Sequence, residues 1–329
     1  MLLLLMAAPC AGADPSAPDE AAEVITLWTY RGDSVVEPLL EAFEKETGLA
    51  VDYRVLGGDG IVEALLAGNE PAPDVLLLVD ALRADVLKAA GKLRALPVDA
   101  LAEVEAPWHD LDGHWSGIAW RARGIVRAEQ DGDLDDFASL AALAQQGEVC
   151  MRSGRHIYNR SLLAWLMATM GEAAARDWMQ TVMDHRVPVD GGDRDQILAV
   201  AAGRCRVAIV NHYYLAGWQA SEDPETRSAV AGLTFGWPDA VSPVMVNVSA
   251  VALTAEGANP EGGEALARWL LGPDAQALYA AAVFEYPVSP VSVDRQAPGL
   301  EQLTLRAEPP WPAGLSVWRE AAERFFSLK

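Results

Sequence analysis

Apolar residues in the first hundred positions alternate between short unbroken runs and stretches with helical spacing. The runs predict strands at VITLWTY (24–30), AVDYRVL (50–56) and DVLLLV (74–79). The stretches with helical spacing predict helices at 34–48, 60–68 and 80–93. At the first helix, Ser34 and Glu37 have the spacing of a capping box, and Gly48 stands where a helix commonly ends. Strands that alternate with helices indicate a parallel α/β layer.

A second α/β unit follows between residues 120 and 210, with helical spacing at 159–183. Asp193 and Gln196, in GGDRDQILAVAAG, have the capping-box spacing of a further helix start. The run VMVNVSAVALT then predicts a strand that comes late in the chain. It precedes an Asn259-Pro260 pair typical of a helix N-terminus.

A late strand after a complete second unit indicates that the chain crosses back to its first domain. We therefore predict an α/β fold of two lobes, a clamshell of the periplasmic-binding-protein type with hinge crossovers. The predicted first lobe comprises 24–118 plus 245–292, and the predicted second lobe 119–244 plus 293–329. Ligands of such folds bind in the cleft between the lobes.

Two adjacent tyrosines follow the apolar run RVAIV in the stretch VNHYYLAGW (210–218). Consecutive residues of a strand point to opposite faces. The phenols of Tyr213 and Tyr214 can therefore converge on one point only if the strand has ended before them. The alternative is two half-buried aromatic side chains with their hydroxyl groups at the surface.

Composition restricts the classes of partner. The chain has 329 residues, 51% of them hydrophobic and 22% charged, which is typical of a globular protein. Its formal net charge of -22 argues against nucleic acids and anionic membranes as partners.

The N-terminal segment predicts export. Residues 1–13 combine an apolar stretch with a small-residue cleavage site, as in the remnant of a secretory signal peptide. Lipidation of Cys10 is not expected, because Pro9 precedes it. The mature chain then retains Cys150 and Cys205, each beside a strand-like run, and we expect one disulfide, with two free buried thiols as the alternative.

Motifs of enzymes are absent from the sequence, which contains no HExxH, GxSxG, Walker loop or CxxC. The five histidines are scattered without metal-ligand spacing, although His156 and His212 each lie within two residues of a tyrosine considered below. The sequence therefore favours a binding protein over an enzyme.

Several longer stretches resemble, in the same order, periplasmic ferric-iron-binding proteins of ABC transporters. They are LWTYRGDSVVEPLLEAFEKETGLAVDYRV, PAPDVLLLVDALRADVLKAAGKL, VCMRSGRHIYNRSLLAWLMATMGEAAARDWM, GGDRDQILAVAAGRCRVAIVNHYYLA, VNVSAVALT and EYPVSP. The resemblance implies a two-lobe fold that holds one ferric ion, with Tyr158, Tyr213 and Tyr214 as ligands. It further implies periplasmic location, delivery of iron to an inner-membrane ABC permease, and a monomer.

The first-lobe stretch TYRGDS has no histidine, and in this it resembles a three-tyrosine branch of the family. In that branch a synergistic anion such as carbonate, held by an arginine, completes the metal site. Arg31 matches this arginine. Gly32 stands where a polar side chain is common in the family, and Arg155, near Tyr158, stands where a small polar residue is common. We expect Arg155 to be a second clamp for the anion.

Iron chemistry supports this interpretation independently. Fe³⁺ is a hard cation that prefers anionic oxygen ligands. Three phenolates neutralise its charge, and a guanidinium fork suits a carboxylate-like anion. If no anion takes part, Asp33 or Asp59 becomes the expected additional ligand. The alternatives are a related receptor for a polyamine, thiamine or a phosphonate and, more distantly, an exported hydrolase.

Overall fold

The structure is a computed structural model that describes residues 24–102, 104–105, 108–131, 137–236, 245–289 and 315–327. The predicted signal-peptide segment 1–13, with Cys10, lies outside the described residues. Within the described ranges, no helix is long and apolar enough to cross a membrane.

The described residues form ten strands and thirteen α-helices. The strands are β1 (Ile25–Thr29), β2 (Val51–Val55), β3 (Val75–Leu78), β4 (Leu93–Arg94), β5 (Trp115–Ala128), β6 (Val149–Met151), β7 (Val207–Asn211), β8 (Leu233–Gly236), β9 (Met245–Thr254) and β10 (Tyr286–Pro287). The helices are α1 (Asp33–Thr47), α2 (Gly60–Ala67), α3 (Ala81–Ala89), α4 (Val98–Leu101), α5 (Phe137–Gln145), α6 (Ile157–Met170), α7 (Glu172–His185), α8 (Asp193–Ala201), α9 (His212–Gln219), α10 (Pro224–Ala229), α11 (Pro260–Leu271), α12 (Pro273–Val283) and α13 (Leu315–Ser327).

The strands belong to one sheet, whose main path has the order β2, β1, β3, β9, β5, β7 and β6. At one end β1 pairs in parallel with β2 and β3, and at the other end β6 pairs in parallel with β7. Strands β9 and β5 lie between these parallel layers and pair with each other in antiparallel orientation. The chain therefore passes twice between the two layers, once along β5 and once along β9.

Buried apolar side chains form separate clusters on the two sides of this crossing. One cluster contains side chains of β1, β3, α1 and α11. A second contains side chains of α6, α7 and α13, and a third surrounds Cys150 and Cys205. The predicted lobe boundary at 118–119 falls inside β5, and the one at 244–245 falls at the start of β9. The lobe ranges themselves stay a prediction.

Two helix starts differ from the predicted capping boxes. The N-cap of α1 is Gly32, which has no side chain to cap the helix, and Ser34 lies inside the first turn, while Glu37 accepts a hydrogen bond from the Tyr53 hydroxyl. In α8 the N-cap is Gly192, whose N–H donates to Asp195 Oδ2 at 2.7 Å. Both predicted boxes are therefore wrong.

The predicted helix signals at Gly48 and Asn259 are confirmed. Gly48 ends α1 in the left-handed region, with φ of 73°. The side chain of Asn259 accepts a hydrogen bond from Gly262 N at 2.9 Å, and Pro260 opens α11.

The predicted disulfide between Cys150 and Cys205 is confirmed. It closes a loop across 55 positions, and both cysteines are buried. In the chain-entropy model a loop of this length stabilises the folded state by about 4 kcal/mol. We therefore expect the double variant Cys150→Ala, Cys205→Ala to lose about this much free energy of unfolding in urea denaturation. An unchanged denaturation midpoint, with the wild-type bond verified by non-reducing mass spectrometry, would contradict the prediction.

Candidate metal centre

Three tyrosine side chains converge where two helices begin. Tyr158 lies in the first turn of α6, and Tyr213 and Tyr214 lie in the first turn of α9, directly after β7. The Tyr213 hydroxyl donates to the Tyr158 hydroxyl at 2.9 Å, and the ring centres of Tyr213 and Tyr214 are 4.4 Å apart. All three side chains are half-buried.

The local sequence explains this convergence. Strands β6 and β7 are parallel neighbours, so their carboxyl ends meet at one edge of the sheet. The chain leaves β6 into α6, and it leaves β7 at Asn211 directly into α9. The strand therefore ends before the tyrosine pair, which is the condition for convergence that the sequence indicated. The first turn of α9 carries the two phenols.

The phenols of the pair resist ionisation. Burial raises the pKa of Tyr213 well above its ordinary value, and the neighbouring Tyr158 and Tyr214 raise it further, while Arg121 and Arg31 oppose the shift. Burial, followed by the proximity of Tyr158, raises the pKa of Tyr214 to about 12. Tyr213 and Tyr214 are therefore neutral near pH 7 until a cation displaces their protons.

The two neighbouring histidines are neutral and bonded to the backbone. His156 is the N-cap of α6 and accepts from Tyr158 N at 3.3 Å, while His212 Nδ1 accepts from Ala122 N at 3.1 Å. Burial lowers the pKa of each to about 4.

Arg31 lies beside the site and is held by side chains of β9, α12 and the segment before β10. Its Nε donates to the Tyr279 hydroxyl at 2.7 Å, and its Nη2 donates to Glu285 Oε1 at 2.5 Å and Ser249 Oγ at 3.2 Å. Burial alone raises the pKa of the Glu285 carboxyl, but Arg31 and Arg121 outweigh it and hold the pKa below its ordinary value. Nη1 of Arg31 has no hydrogen-bond partner among the residues described.

The structure does not bring Arg155 to the tyrosines. Arg155 lies in the turn between β6 and α6, which directs its side chain outward to a surface cavity beside Phe325 and Phe326. Arg152 is the arginine of this segment that lies near the site, with its guanidinium carbon 5.5 Å from the centre of the Tyr158 ring. Arg152 Nε is buried without a hydrogen-bond partner, and Nη1 lies 3.6 Å from Asp193 Oδ1.

The two alternative carboxylate ligands are engaged elsewhere. Asp59 binds Arg83 at 2.7 Å and Arg160 at 3.0 Å. Asp33 accepts a hydrogen bond from the Tyr53 hydroxyl at 3.1 Å in an exposed position. No described contact joins either carboxylate to the three tyrosines.

Sequence reasoning missed two arginines of β5. The guanidinium carbons of Arg121 and Arg123 lie 5.7 Å and 5.9 Å from the centre of the Tyr158 ring. The sequence feature that could have identified them is the WRARG stretch. It places charged residues at alternate positions of a strand that is buried along nearly its whole length. Arg121 donates to Ser249 Oγ of β9 and to Val79 O after β3, whereas Arg123 donates to Asp193 at the start of α8 and to Ile209 O of β7.

The family model for bacterial extracellular solute-binding proteins matches residues 28–277. The chain belongs to this family. A two-lobe α/β fold is confirmed by solved structures of similar proteins. Apo ferric ion-binding protein A of Pasteurella haemolytica has a TM-score of 0.84 and 28% identity, over 93% of this chain and 98% of that one. A Trichodesmium protein in complex with iron and citrate ligands has a TM-score of 0.82 and 28% identity, over 93% of this chain and 98% of that one.

Relatives of this solute-binding protein carry iron-related names. Iron uptake protein A1 of Synechocystis sp. is 31% identical over 277 residues, which are 80% of this chain and 75% of the relative. The Fe(3+)-binding periplasmic protein of Serratia marcescens is 25% identical over 287 residues, 84% of this chain and 81% of the relative. The resemblance inferred from the sequence motifs is thereby confirmed.

Proposed function

We propose that this solute-binding protein captures ferric iron in the periplasm and delivers it to an inner-membrane ABC permease. The convergence of Tyr158, Tyr213 and Tyr214 carries the proposal. Three phenolates supply the three negative charges that neutralise Fe³⁺ and are the hard oxygen donors that this ion prefers. The iron-related names of the relatives support the same assignment.

We further propose that a small anion such as carbonate completes the metal site. Two guanidinium groups are suited to hold it. Among the described residues, the Arg31 side chain makes its hydrogen bonds through Nε and Nη2 and not through Nη1, and Arg152 Nε is buried without a partner. A bound anion supplies additional oxygen ligands and satisfies these donors. Citrate in the Trichodesmium structure shows that a carboxylate can accompany iron in a protein of this fold.

Visible absorption tests the proposed function. The iron-free protein, mixed with ferric citrate and freed of excess salt, is expected to become orange to red through phenolate-to-iron charge transfer. Crystals of the loaded protein should then give an anomalous signal at the iron edge beside Tyr158. A colourless, iron-free product would refute the function and favour a receptor for an organic ligand.

Arginine variants test the anion. We expect Arg31→Lys and Arg152→Ala each to weaken iron binding, to shift the visible band and to reduce the dependence of affinity on added bicarbonate, because a donor to the anion is lost. Titrations with and without bicarbonate measure these effects. Arg155→Ala is the matched control, and we expect it to behave as wild type because its side chain points away from the tyrosines. Equal affinity of the wild type in carbonate-free buffer without a substitute anion would contradict the proposal.

A further inference from the structure

Arg123 is a fully buried cation whose hydrogen-bonding capacity is used completely. The side chain is 1% exposed, and a guanidinium carries five N–H groups. Nε and Nη2 both donate to Asn159 Oδ1, at 3.0 Å and 2.7 Å. Nη1 donates to Asp193 Oδ2 at 2.8 Å and to Asn211 Oδ1 at 3.2 Å, and Nη2 also donates to Ile209 O at 3.1 Å.

Asp193 is the buried counter-charge. Its side chain is fully buried at the first position of α8. Besides the bond from Arg123, Oδ2 accepts from Asn211 N at 2.9 Å. The Arg123–Asp193 pair therefore joins the hinge strand β5, the start of α8 and the end of β7.

The partners of this pair adjoin the tyrosines. Asn159 follows Tyr158 directly in α6, and its Nδ2 donates to the carbonyl groups of residues 152 and 153, which fixes the turn before the helix. Asn211 lies two residues before Tyr213, and its Nδ2 lies 3.2 Å from the Tyr213 hydroxyl. Each segment that carries a tyrosine is thus attached to the same ion pair.

We propose that Arg123 and Asp193 are positioning residues that set the spacing of the three phenols. The inference rests on the proposed iron function. Burying two charges costs desolvation energy, so such a pair contributes little net stability compared with an apolar substitute. What the pair provides here is directional contact to several chain segments at once. Residues that hydrogen-bond to metal ligands orient those ligands, and loss of such a residue typically lowers metal affinity about 10- to 100-fold.

The variant Asp193→Asn tests the proposal, since it keeps the shape of the side chain and removes its charge. We expect iron affinity to fall at least about tenfold and the visible band to shift in energy or lose intensity. Asp74→Asn is the matched control, because Asp74 is also a buried carboxylate, bonded to Thr26 and Asn259 in the first lobe. We expect Asp74→Asn to lower the melting temperature without changing the band.

A second variant keeps the test decisive if Asp193→Asn does not fold. Asn211→Ala keeps both charges of the Arg123–Asp193 pair but removes the contact to Tyr213 and one acceptor of Arg123 Nη1. We expect it to shift the band and to lower the melting temperature modestly, because one buried donor loses its partner. Wild-type spectra and affinity in Asp193→Asn or, if that variant does not fold, in Asn211→Ala would overturn the positioning role, as would an equal band shift in Asp74→Asn. Absence of a band in the wild type would instead refute the proposed function, so the two failures are distinguishable.

Discussion

Tyr213→Phe is expected to shift and weaken the visible iron band and to weaken iron binding by more than about a hundredfold, a larger effect than the loss of a residue that only hydrogen-bonds to a metal ligand. The substitution deletes one anionic donor and leaves the ring in place, so the fold is retained. Tyr158→Phe and Tyr214→Phe should have the same effect, because the three phenols form one cluster. Spectrophotometric titration against a competing chelator measures both quantities.

Tyr53→Phe is the control for this series. Tyr53 lies on β2, and its hydroxyl contacts Asp33 and Glu37 in exposed positions. Its removal should leave colour and affinity unchanged. Wild-type affinity in all three cluster variants would show that the metal site is assigned to the wrong residues.

The pH dependence of iron binding is the second large effect that we expect. The raised pKa values of Tyr213 and Tyr214 keep both phenols protonated at neutral pH, so bound iron must displace these protons. Affinity therefore rises with pH, by about tenfold per pH unit for each proton that iron displaces from Tyr213 and Tyr214.

Affinities at pH 6.0 and 7.5, corrected for the competing chelator, provide the measurement, and a pH-stat titration counts the protons directly. His156 and His212 should contribute no inflection in this interval, because their pKa values are about 4 and both rings are already neutral. An affinity independent of pH would contradict binding by phenolates.

Local sequence signals predicted much of the fold because they depend on neighbours in the chain. Gly48 ends a helix and Asn259 begins one through contacts within a few residues. The box predicted at Ser34 failed because α1 begins one residue earlier, at Asp33 with Gly32 as its N-cap, and the Ser34–Glu37 spacing alone does not determine that start.

The residues of the candidate site likewise include some that the sequence predicted and some that it could not. Motif order identified the tyrosines, and the structure brings them together. The partners of Arg123 lie 36, 70 and 88 positions away in the chain, so no local pattern could identify them. Arg152 and Arg155 are three residues apart, and the turn before α6 decides which of them lies near Tyr158.

We expect Mg²⁺ and Ca²⁺ to meet an electrostatic barrier at the proposed metal site that Fe³⁺ can overcome. Among the described residues, five guanidinium groups lie near the phenols, those of Arg31, Arg121, Arg123, Arg152 and Arg194, and three buried carboxylates partly balance them, those of Glu285, Asp193 and Asp80. A divalent cation therefore enters a region of excess positive charge, although the surface as a whole, at a net charge of -22, attracts cations. A trivalent ion that displaces phenol protons creates the negative charge that it needs. We therefore expect the site to prefer a strongly Lewis-acidic metal ion such as Fe³⁺, and abundant divalent cations to compete poorly for the site.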